Sequence, residues 1–379
     1  MIAAPALIPV AAPWITEREG ELARQAAMEG WGPDHYRFNR AFEEAFAAYI
    51  GVRHAVSLPH ATAGLHLALA ALGVGPGDEV VVPAVTWIAS VAPVVYVGAE
   101  PVFADIDPVT WCLDPQAAAA AITPKTKAIL GVDLYGSMCD WPALRALAEA
   151  YGLALIEDAA EALGSTLHGR RAGAWGDAAA FSFHGSKTLV TGEGGMLVTD
   201  SDAVLARVQS LRDHGRPPGD RFFQNTEVAF KYKMPAVAAG LGLAQMERID
   251  ALVARKREIF GWYRQRLGGL NGLRINAEPE AHENSAWMVT AIPDAAHDLD
   301  KFTLMARLRE RNIDSRPFFS ALPEIEAFAD RPEAARFLPR PMAGASAAKR
   351  GVNLPSGYTL TEGDVDLVCR ALAEILEGA

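Results

Sequence analysis

Cysteine is scarce in this chain, which has only three in 379 residues: Cys112, Cys139 and Cys369. Their spacing fits no metal-binding or redox motif, so we expect no metal site. An odd number of cysteines also argues against a framework of disulfide bonds. Buried free thiols are typical of a reducing compartment, which predicts a cytoplasmic protein.

Basic charge is also in short supply. The 35 Lys and Arg residues face 46 Asp and Glu residues, giving a formal net charge of −11 and a pI of about 5.4. An acidic surface repels the phosphates of nucleic acid and anionic lipid. We therefore expect no nucleic-acid partner and no membrane partner, and any anionic substrate must find its basic contacts locally.

Long uninterrupted apolar runs are missing as well. No charged residue lies between Glu79 and Glu100, but Pro83, Pro93 and Gly98 interrupt this stretch. It therefore predicts a strand, a loop, a helix and a turn rather than a membrane span. The apolar segment 1–10 contains no basic residue and two prolines, which makes it a poor signal peptide.

Short apolar runs alternate with amphipathic helical segments between about residues 40 and 200. The predicted strands are Glu79–Val82, Pro101–Asp105, Ala128–Val132, Ala154–Glu157, Ala178–Phe183 and Met196–Thr199. The predicted helices before, among and after them are Phe38–Tyr49, Thr62–Leu72, Trp141–Tyr151 and Asp202–Asp213. This alternation predicts an α/β fold with a mostly parallel central sheet and helices on both faces.

The pattern changes near residue 256, and a chain of this length favours more than one domain. We predict a large domain over residues 1–255 and a smaller C-terminal α+β domain over residues 256–379. The segment Pro235–Arg257 opens with closely spaced Ala and Gly and continues as one long predicted helix. Small residues at that density let helices approach closely, as at a domain or subunit interface.

Two predicted strands are followed directly by chemically active side chains. The run Leu153–Asp158 ends in two carboxylates, and the run Phe181–Lys187 ends in Ser182, His184 and Lys187. In open parallel sheets, ligands bind beyond the carboxyl ends of the strands. Taken separately, a helix cap and a solvated lysine are the simpler interpretations.

Two further elements fit the same edge. Thr62 opens a helix, whose free N–H groups and dipole favour an anion, and Trp87 follows a strand, where it can stack on a planar ring. Together the four elements match what pyridoxal phosphate (PLP) requires: a lysine, an acid for the ring nitrogen, a phosphate site and a flat apolar face. The Gly-rich turn Thr191–Gly195 lets the chain pass tightly nearby.

With these motifs the chain resembles the DegT/DnrJ/EryC1/StrS family of PLP-dependent sugar aminotransferases, which have the fold-type I architecture. The resemblance runs over almost the whole length. The matching motifs are Gly51–Val56, Ala61–His66, Gly75–Val80, Pro101–Asp107, Glu157–Glu161, Ser182–Lys187, Thr191–Gly195 and Asn353–Ser356. A collinear series of this kind is far more specific than any single motif.

The resemblance implies a role for each matched residue. Lys187 would bind the cofactor covalently, Asp158 would pair with the ring nitrogen, and Glu161 would lie near the ring's 3-oxygen. Three residues would hold the phosphate, and Trp87 would stack on the ring. The phosphate residues are Ala61, Thr62 and Ser182.

Three positions depart from the family pattern. Ala61 replaces the usual Gly, Met288 replaces a frequent His, and Lys231 stands where many relatives have Asn. In the family, the residue at the position of Lys231 reaches the phosphate bound by the neighbouring subunit, which implies a homodimer with shared active sites. Lysine can also bind phosphate, as a point charge.

The resemblance implies transfer of an amino group from glutamate or glutamine to a nucleotide-linked keto sugar, chosen here as a 4-keto-6-deoxy sugar. Arg316, Phe319 and His184 are the expected substrate contacts, although Arg316 in an ion pair and phenylalanines in the core are an open alternative. A free keto-cyclitol as acceptor, or a non-catalytic regulatory protein on the same fold, also remain open. A related dehydratase is disfavoured, because in that branch a His replaces the lysine.

Overall fold

The computed structural model describes residues 7–217, 219–337 and 344–378. The helices are α1 Glu17–Glu29, α2 Arg37–Ile50, α3 Ala61–Ala71, α4 Ile88–Tyr96, α5 Pro115–Ala121, α6 Trp141–Tyr151, α7 Asp202–Leu211, α8 Ala236–Met246, α9 Ile249–Leu267, α10 Lys301–Arg309, α11 Glu326–Ala329, α12 Pro332–Phe337, α13 Ala345–Arg350 and α14 Glu362–Glu377. The strands are β1 His54–Leu58, β2 Glu79–Pro83, β3 Glu100–Ala104, β4 Thr126–Val132, β5 Ala154–Asp158, β6 Thr166–Leu167, β7 Arg170–Arg171, β8 Ala178–Ser182, β9 Gly195–Thr199, β10 Leu273–Ile275, β11 His282–Glu283, β12 Val289–Pro293, β13 Arg316–Pro317 and β14 Val352–Leu354.

A seven-stranded sheet in the order β1-β9-β8-β5-β4-β2-β3 forms the centre of the molecule. The pairs β3–β2, β2–β4, β4–β5 and β5–β8 are parallel, whereas β9 runs antiparallel to both β8 and β1. Every residue of β2 is buried, which requires cover on both faces of the sheet. The predicted α/β class and the mostly parallel sheet are confirmed, and each of the six predicted strands is present.

The C-terminal part forms its own antiparallel sheet in the order β10-β12-β14-β13. Its apolar side chains pack with α9, α10 and α14 in a second core that includes Ile259, Phe260 and Leu372. Helix α9 crosses from one core to the other, since its residue Leu252 belongs to the first. The boundary at residues 255 and 256 therefore falls inside a continuous helix, and the division into two domains stays a prediction.

The prediction of one helix over Pro235–Arg257 is wrong, because α8 ends at Met246 and α9 starts at Ile249. Arg248 leaves helical geometry with φ −135° and ψ 24°. Its guanidinium group donates to the carboxylate of Glu19, which is fully buried in α1. A buried carboxylate needs a cationic partner, so pairing Arg248 with Glu19 is favoured over helical geometry at Arg248.

Helix packing against α1 follows from the small residues of α8. A Cβ added at Gly240 would lie 2.8 Å from the carbonyl oxygen of Leu22, and one added at Gly242 would lie 2.5 Å from the ring of Phe42. These close approaches account for the Ala/Gly-rich sequence of α8 within a single chain. Among the described residues, none of the helices combines the length and the apolar character that crossing a membrane requires.

Lys256 of α9 is a fully buried lysine at the junction of the two cores. Its amine donates to the carbonyl oxygens of Ser356, at 2.5 Å, and Trp287, at 3.3 Å. The Tyr358 ring lies 4.6 Å from Nζ, and burial raises the pKa of that phenol. No carboxylate among the described residues pairs with Lys256, and burial lowers the pKa of its amine to about 7.

We expect Lys256→Met to change the pH dependence of stability. The amine titrates near pH 7 in the folded protein and near pH 10.5 in the unfolded chain, so the unfolded chain binds more protons between these values. The wild type therefore gains stability relative to the variant as the pH rises from 7 to 9, by about 2 kcal/mol. Denaturant unfolding at each pH measures this difference, and parallel curves for the two proteins would contradict it.

Candidate active site

A cavity of about 830 Å³ lies beyond the carboxyl ends of β5 and β8. Parallel strands direct their carboxyl ends to one edge, and side chains that follow them are brought together there. The structure places ten of the eleven sequence-predicted site residues around this cavity. They are Ala61, Thr62, Trp87, Asp158, Glu161, Ser182, His184, Lys187, Arg316 and Phe319.

Lys187 lies in the segment after β8 and extends into the cavity. Its Nζ donates to Oε1 of Glu161 at 3.1 Å and lies 3.6 Å from the centre of the Trp287 ring. Only 14% of the Lys187 side chain is exposed. The amine is therefore held between a carboxylate and an aromatic face, both of which favour a cation.

Asp158 is the last residue of β5 and is buried. Its carboxylate accepts the N–H of Ala160 at 3.1 Å. Burial raises the pKa of Asp158, against the opposing effects of a hydrogen bond from Ser90 and the charge of Lys187. A cationic N–H group placed against this carboxyl group would lower its pKa again.

Glu161 is buried beside Lys187 and has a second, structural donor. The backbone N–H of Tyr135 donates to Oε2 of Glu161 at 2.9 Å. Tyr135 has φ +52°, a left-handed conformation that non-glycine residues seldom adopt, and this conformation accompanies the contact with Glu161. Burial raises the pKa of Glu161, and the charge of Lys187 opposes the shift.

The N-terminus of α3 opens into the same cavity. The helix starts at Ala61 rather than at Thr62, and its N-cap is His60, whose Nδ1 accepts the N–H of Ala63 at 3.0 Å. The predicted helix start at Thr62 is therefore one residue too late, and Thr62 lies in the first turn, where it lines the cavity. Ala61 is helical, so a residue other than glycine fits there without backbone strain.

The Gly-rich turn Thr191–Gly195 brings β9 against the start of α3. A Cβ added at Gly195 would lie 2.5 Å from the carbonyl carbon of His60 and 2.6 Å from the nitrogen of Ala61. Only glycine fits at this approach. The turn therefore sets the position of the helix N-terminus, and with it the backbone N–H groups that face the cavity.

The polar residues after β8 form a local network on the exposed side of the cavity. The Ser182 hydroxyl accepts the N–H of His184 at 3.3 Å. The His184 ring is more than half exposed and lies 3.1 Å from the Ser186 hydroxyl. These groups are available to a ligand, because their present partners are one another.

Arg316 and Phe319 lie opposite the strand ends, on the C-terminal part of the chain. Among the residues that the structure describes, none makes a hydrogen bond or ion pair with the Arg316 guanidinium group, which argues against a structural ion pair. Phe318 is buried in the core, whereas Phe319 is partly exposed and its ring stacks on Tyr135 at 5.2 Å. The alternative that these phenylalanines are core residues is therefore correct for Phe318 but not for Phe319.

Lys231 is the one predicted site residue that does not line the cavity of its own chain. Its Nζ donates to Asp213 at 2.9 Å, and Asp213 also accepts from Lys233 and Arg216. The three cations lower the pKa of the Asp213 carboxyl group, although its partial burial opposes them. The Lys231 side chain remains 54% exposed.

Sequence reasoning missed four residues that complete the site: Ser90, Tyr135, Trp287 and Asn353. Trp287 contributes the ring face next to Lys187, and its indole N–H donates to the carbonyl oxygen of Ser186 at 2.7 Å. Met288 is fully buried beside it. Trp287 directly precedes Met288, which departs from the family pattern, and this was the available signal in the sequence. Its contact with Lys187 could not be predicted, because the two residues lie a hundred positions apart.

The donor set fits PLP. A helix N-terminus and two hydroxyl groups suit a phosphate, a buried carboxyl group suits a protonated ring nitrogen, and a partly buried lysine suits a covalent link. Trp87 is 56% exposed, with its ring 5.6 Å from that of Phe319, so it can cover one face of a ring.

Comparisons with known proteins agree with this geometry. The sequence model of the DegT/DnrJ/EryC1/StrS aminotransferase family matches residues 13–373. The GDP-perosamine synthase of Caulobacter vibrioides is 40% identical over 372 residues, covering 97% of this chain and 98% of the relative.

Two solved structures are similar over nearly their whole lengths. A protein of Streptococcus pneumoniae described as a sugar aminotransferase, in its PLP form, has a TM-score of 0.86 and 28% identity, covering 98% of this chain and 99% of that one. DesI, solved in the presence of its TDP-sugar product, has a TM-score of 0.87 and 33% identity, covering 99% and 94%.

Proposed function

Because the chain belongs to the DegT/DnrJ/EryC1/StrS family and is therefore a PLP-dependent aminotransferase, we propose that it aminates a nucleotide-linked keto sugar. The proposed acceptor is a 4-keto-6-deoxy sugar, and the proposed donor is glutamate or glutamine. The relative named GDP-perosamine synthase supports a sugar nucleotide as substrate and makes guanosine diphosphate the first nucleotide to test.

The observation that carries this proposal is the Arg316 guanidinium group on the cavity wall, which has no hydrogen-bond or ion-pair partner among the described residues. A partly buried cation without a protein partner is poorly satisfied, so an anionic group is the expected partner. Both the diphosphate of a sugar nucleotide and the carboxylate of the donor offer two oxygens to such a group. Phe319 and Trp87 add flat apolar surface beside it.

The same geometry supports specific roles in the reaction. PLP, when bound, supplies the carbonyl carbon that carries the amino group and the ring that accepts electron density. Lys187 would be the group that binds it and then moves the proton, since its amine lies within the cavity. Asp158 holds a proton at the ring nitrogen, and Glu161 keeps the Lys187 amine in place.

The remaining predicted residues have binding roles in this proposal. Thr62, Ser182 and the N–H groups at the start of α3 bind phosphate, with Ala61 supplying backbone only. His184 contacts substrate from the exposed side of the cavity. Free buried thiols at all three cysteines support the proposed cytoplasmic location.

Acceptor specificity is tested with matched ketones and glutamate as donor. We expect the GDP-linked 4-keto-6-deoxy sugar to react faster than its TDP-linked counterpart, and both faster than a 3-keto sugar nucleotide. A free keto-cyclitol should lose at least about 100-fold in kcat/KM, because diphosphate binding energy is absent. Faster amination of the free cyclitol than of any sugar nucleotide would contradict the proposal and favour the cyclitol alternative.

Variants at Arg316 identify which substrate it binds. Arg316→Gln should raise KM for the donor or for the sugar nucleotide by about tenfold or more, since a charge-assisted pair is lost. Arg370→Gln, on the exposed side of α14, is the matched control and should leave both KM values unchanged. Unchanged KM values for both substrates in Arg316→Gln would remove Arg316 from the site.

We further propose that the active unit is a homodimer in which Lys231 serves the neighbouring subunit's cavity. Its exposed side chain, away from its own cavity, supports this arrangement. The loop that precedes Lys231 also exposes Phe222, Phe223 and Val228 almost completely, and apolar residues exposed in this way are typical of an interface.

A mixing experiment distinguishes a shared site from an unshared one. Lys187→Ala and Lys231→Ala should each be inactive at limiting PLP, whereas an equal mixture, refolded together, should recover about a quarter of wild-type activity. This is because half of the dimers are hybrids, and each hybrid has one site with both lysines intact. No recovery in verified hybrid dimers would place Lys231 in its own subunit's site, and wild-type activity of the Lys231→Ala dimer alone would place it in no site.

A further inference from the structure

Lys256 and Lys187 lie on different elements, but two short chains of contacts connect them. The first chain runs through Trp287. The Lys256 amine donates to the Trp287 carbonyl oxygen at 3.3 Å, and the indole N–H of Trp287 donates to the carbonyl oxygen of Ser186 at 2.7 Å. One tryptophan thus joins the buried amine to the residue immediately before Lys187.

The second chain runs through Tyr358. The Lys256 amine donates to the Ser356 carbonyl oxygen at 2.5 Å and lies 4.6 Å from the centre of the Tyr358 ring. The phenol of Tyr358 donates to the carbonyl oxygen of Thr188 at 2.7 Å. Thr188, the residue immediately after Lys187, is therefore connected to the Lys256 amine through Tyr358.

The two chains fix the Lys187 backbone from both sides. Trp287 and Tyr358 come from segments seventy residues apart, and their polar hydrogens hold the two carbonyl groups that flank Lys187. Trp287 also places its ring face 3.6 Å from Lys187 Nζ. A group that sets the relative position of these two aromatic residues therefore sets where the Lys187 amine lies.

We propose that Lys256 is a positioning residue for Lys187, acting through Trp287 and Tyr358. This inference rests on the proposed assignment of Lys187 as the lysine that binds PLP. Lys256 touches neither the cavity nor Lys187, so its effect is on the placement and the electrostatic surroundings of the Lys187 nitrogen.

The chemistry of the amine accounts for a lysine at this buried position. A neutral amine has two N–H groups, which match the carbonyl groups of Trp287 and Ser356, and an apolar residue would leave both oxygens without a partner. Burying an unpaired amine is costly, so packing alone does not explain its presence. The contacts that it makes with the Trp287 carbonyl oxygen and the Tyr358 ring are the ones that connect to the residues flanking Lys187.

The test compares four holoenzymes with the wild type: Lys256→Met, Tyr358→Phe, the double variant and Lys301→Met. Lys301 is the matched control, because it is also buried and donates to a backbone carbonyl oxygen, that of Phe318 at 2.9 Å. Unlike Lys256, it makes no hydrogen bond to Trp287 and no ring contact with Tyr358 among the described residues. The two readouts are the rate of PLP release and the pH at which the visible absorption of bound PLP titrates.

Lys256→Met should release PLP about three to ten times faster and titrate at least about 0.3 pH unit lower, because the Trp287 ring no longer stabilises a cation at the Lys187 nitrogen. Tyr358→Phe should speed release without this shift. The double variant should release PLP no faster than about twice the rate of the faster single variant, because Lys256 and Tyr358 act on the same segment around Lys187. Lys301→Met should leave both readouts unchanged.

A wild-type titration pH and release rate in folded Lys256→Met would overturn the inference. A double variant whose effect equals the product of the single effects would also do so, because the two residues would then act independently. Loss of thermal stability alone, equal in Lys256→Met and Lys301→Met, would leave Lys256 a structural residue only. Attachment of PLP to another lysine would refute the assignment of Lys187 itself. This outcome is distinguishable from failure of the Lys256 inference, because it is found by mapping the labelled peptide of the wild-type enzyme.

Discussion

The structure depends on how two buried carboxyl groups and one lysine share charge at the edge of the central sheet. Lys187 pairs with Glu161 at 3.1 Å, so Asp158 is left with a backbone N–H and the Ser90 hydroxyl. Burial of a carboxylate that no cation contacts directly is costly, and it raises the pKa of Asp158, although the charge of Lys187 opposes this shift. In the proposed function, a protonated ring nitrogen is the cation that Asp158 pairs with.

The rest of the fold holds these three groups in place. Strands β5 and β8 are neighbours, which puts Asp158 and the segment leading to Lys187 at one edge. Gly195 allows β9 to touch the start of α3, which fixes the N-terminal end of that helix relative to that edge. The C-terminal sheet then contributes Arg316 and closes the cavity from the opposite side.

Local pattern was sufficient for the strands and for the residues that directly follow them, because a short apolar run and its polar end are contiguous in sequence. It was not sufficient for Tyr135 and Trp287, whose contacts with Glu161 and Lys187 exist only after distant segments pack. Sequence periodicity also could not show that Phe318 is buried whereas Phe319 is partly exposed. The break before α9 was missed because its cause, the pairing of Arg248 with Glu19, is also a long-range contact.

Lys187 is the proposed PLP-binding lysine, and borohydride reduction of the holoenzyme followed by peptide mapping tests this most directly. We expect one pyridoxyl group per chain, on the peptide that contains Lys187, and no such label in Lys187→Ala. A label on Lys231, Lys233 or any other lysine of the wild-type enzyme would contradict it.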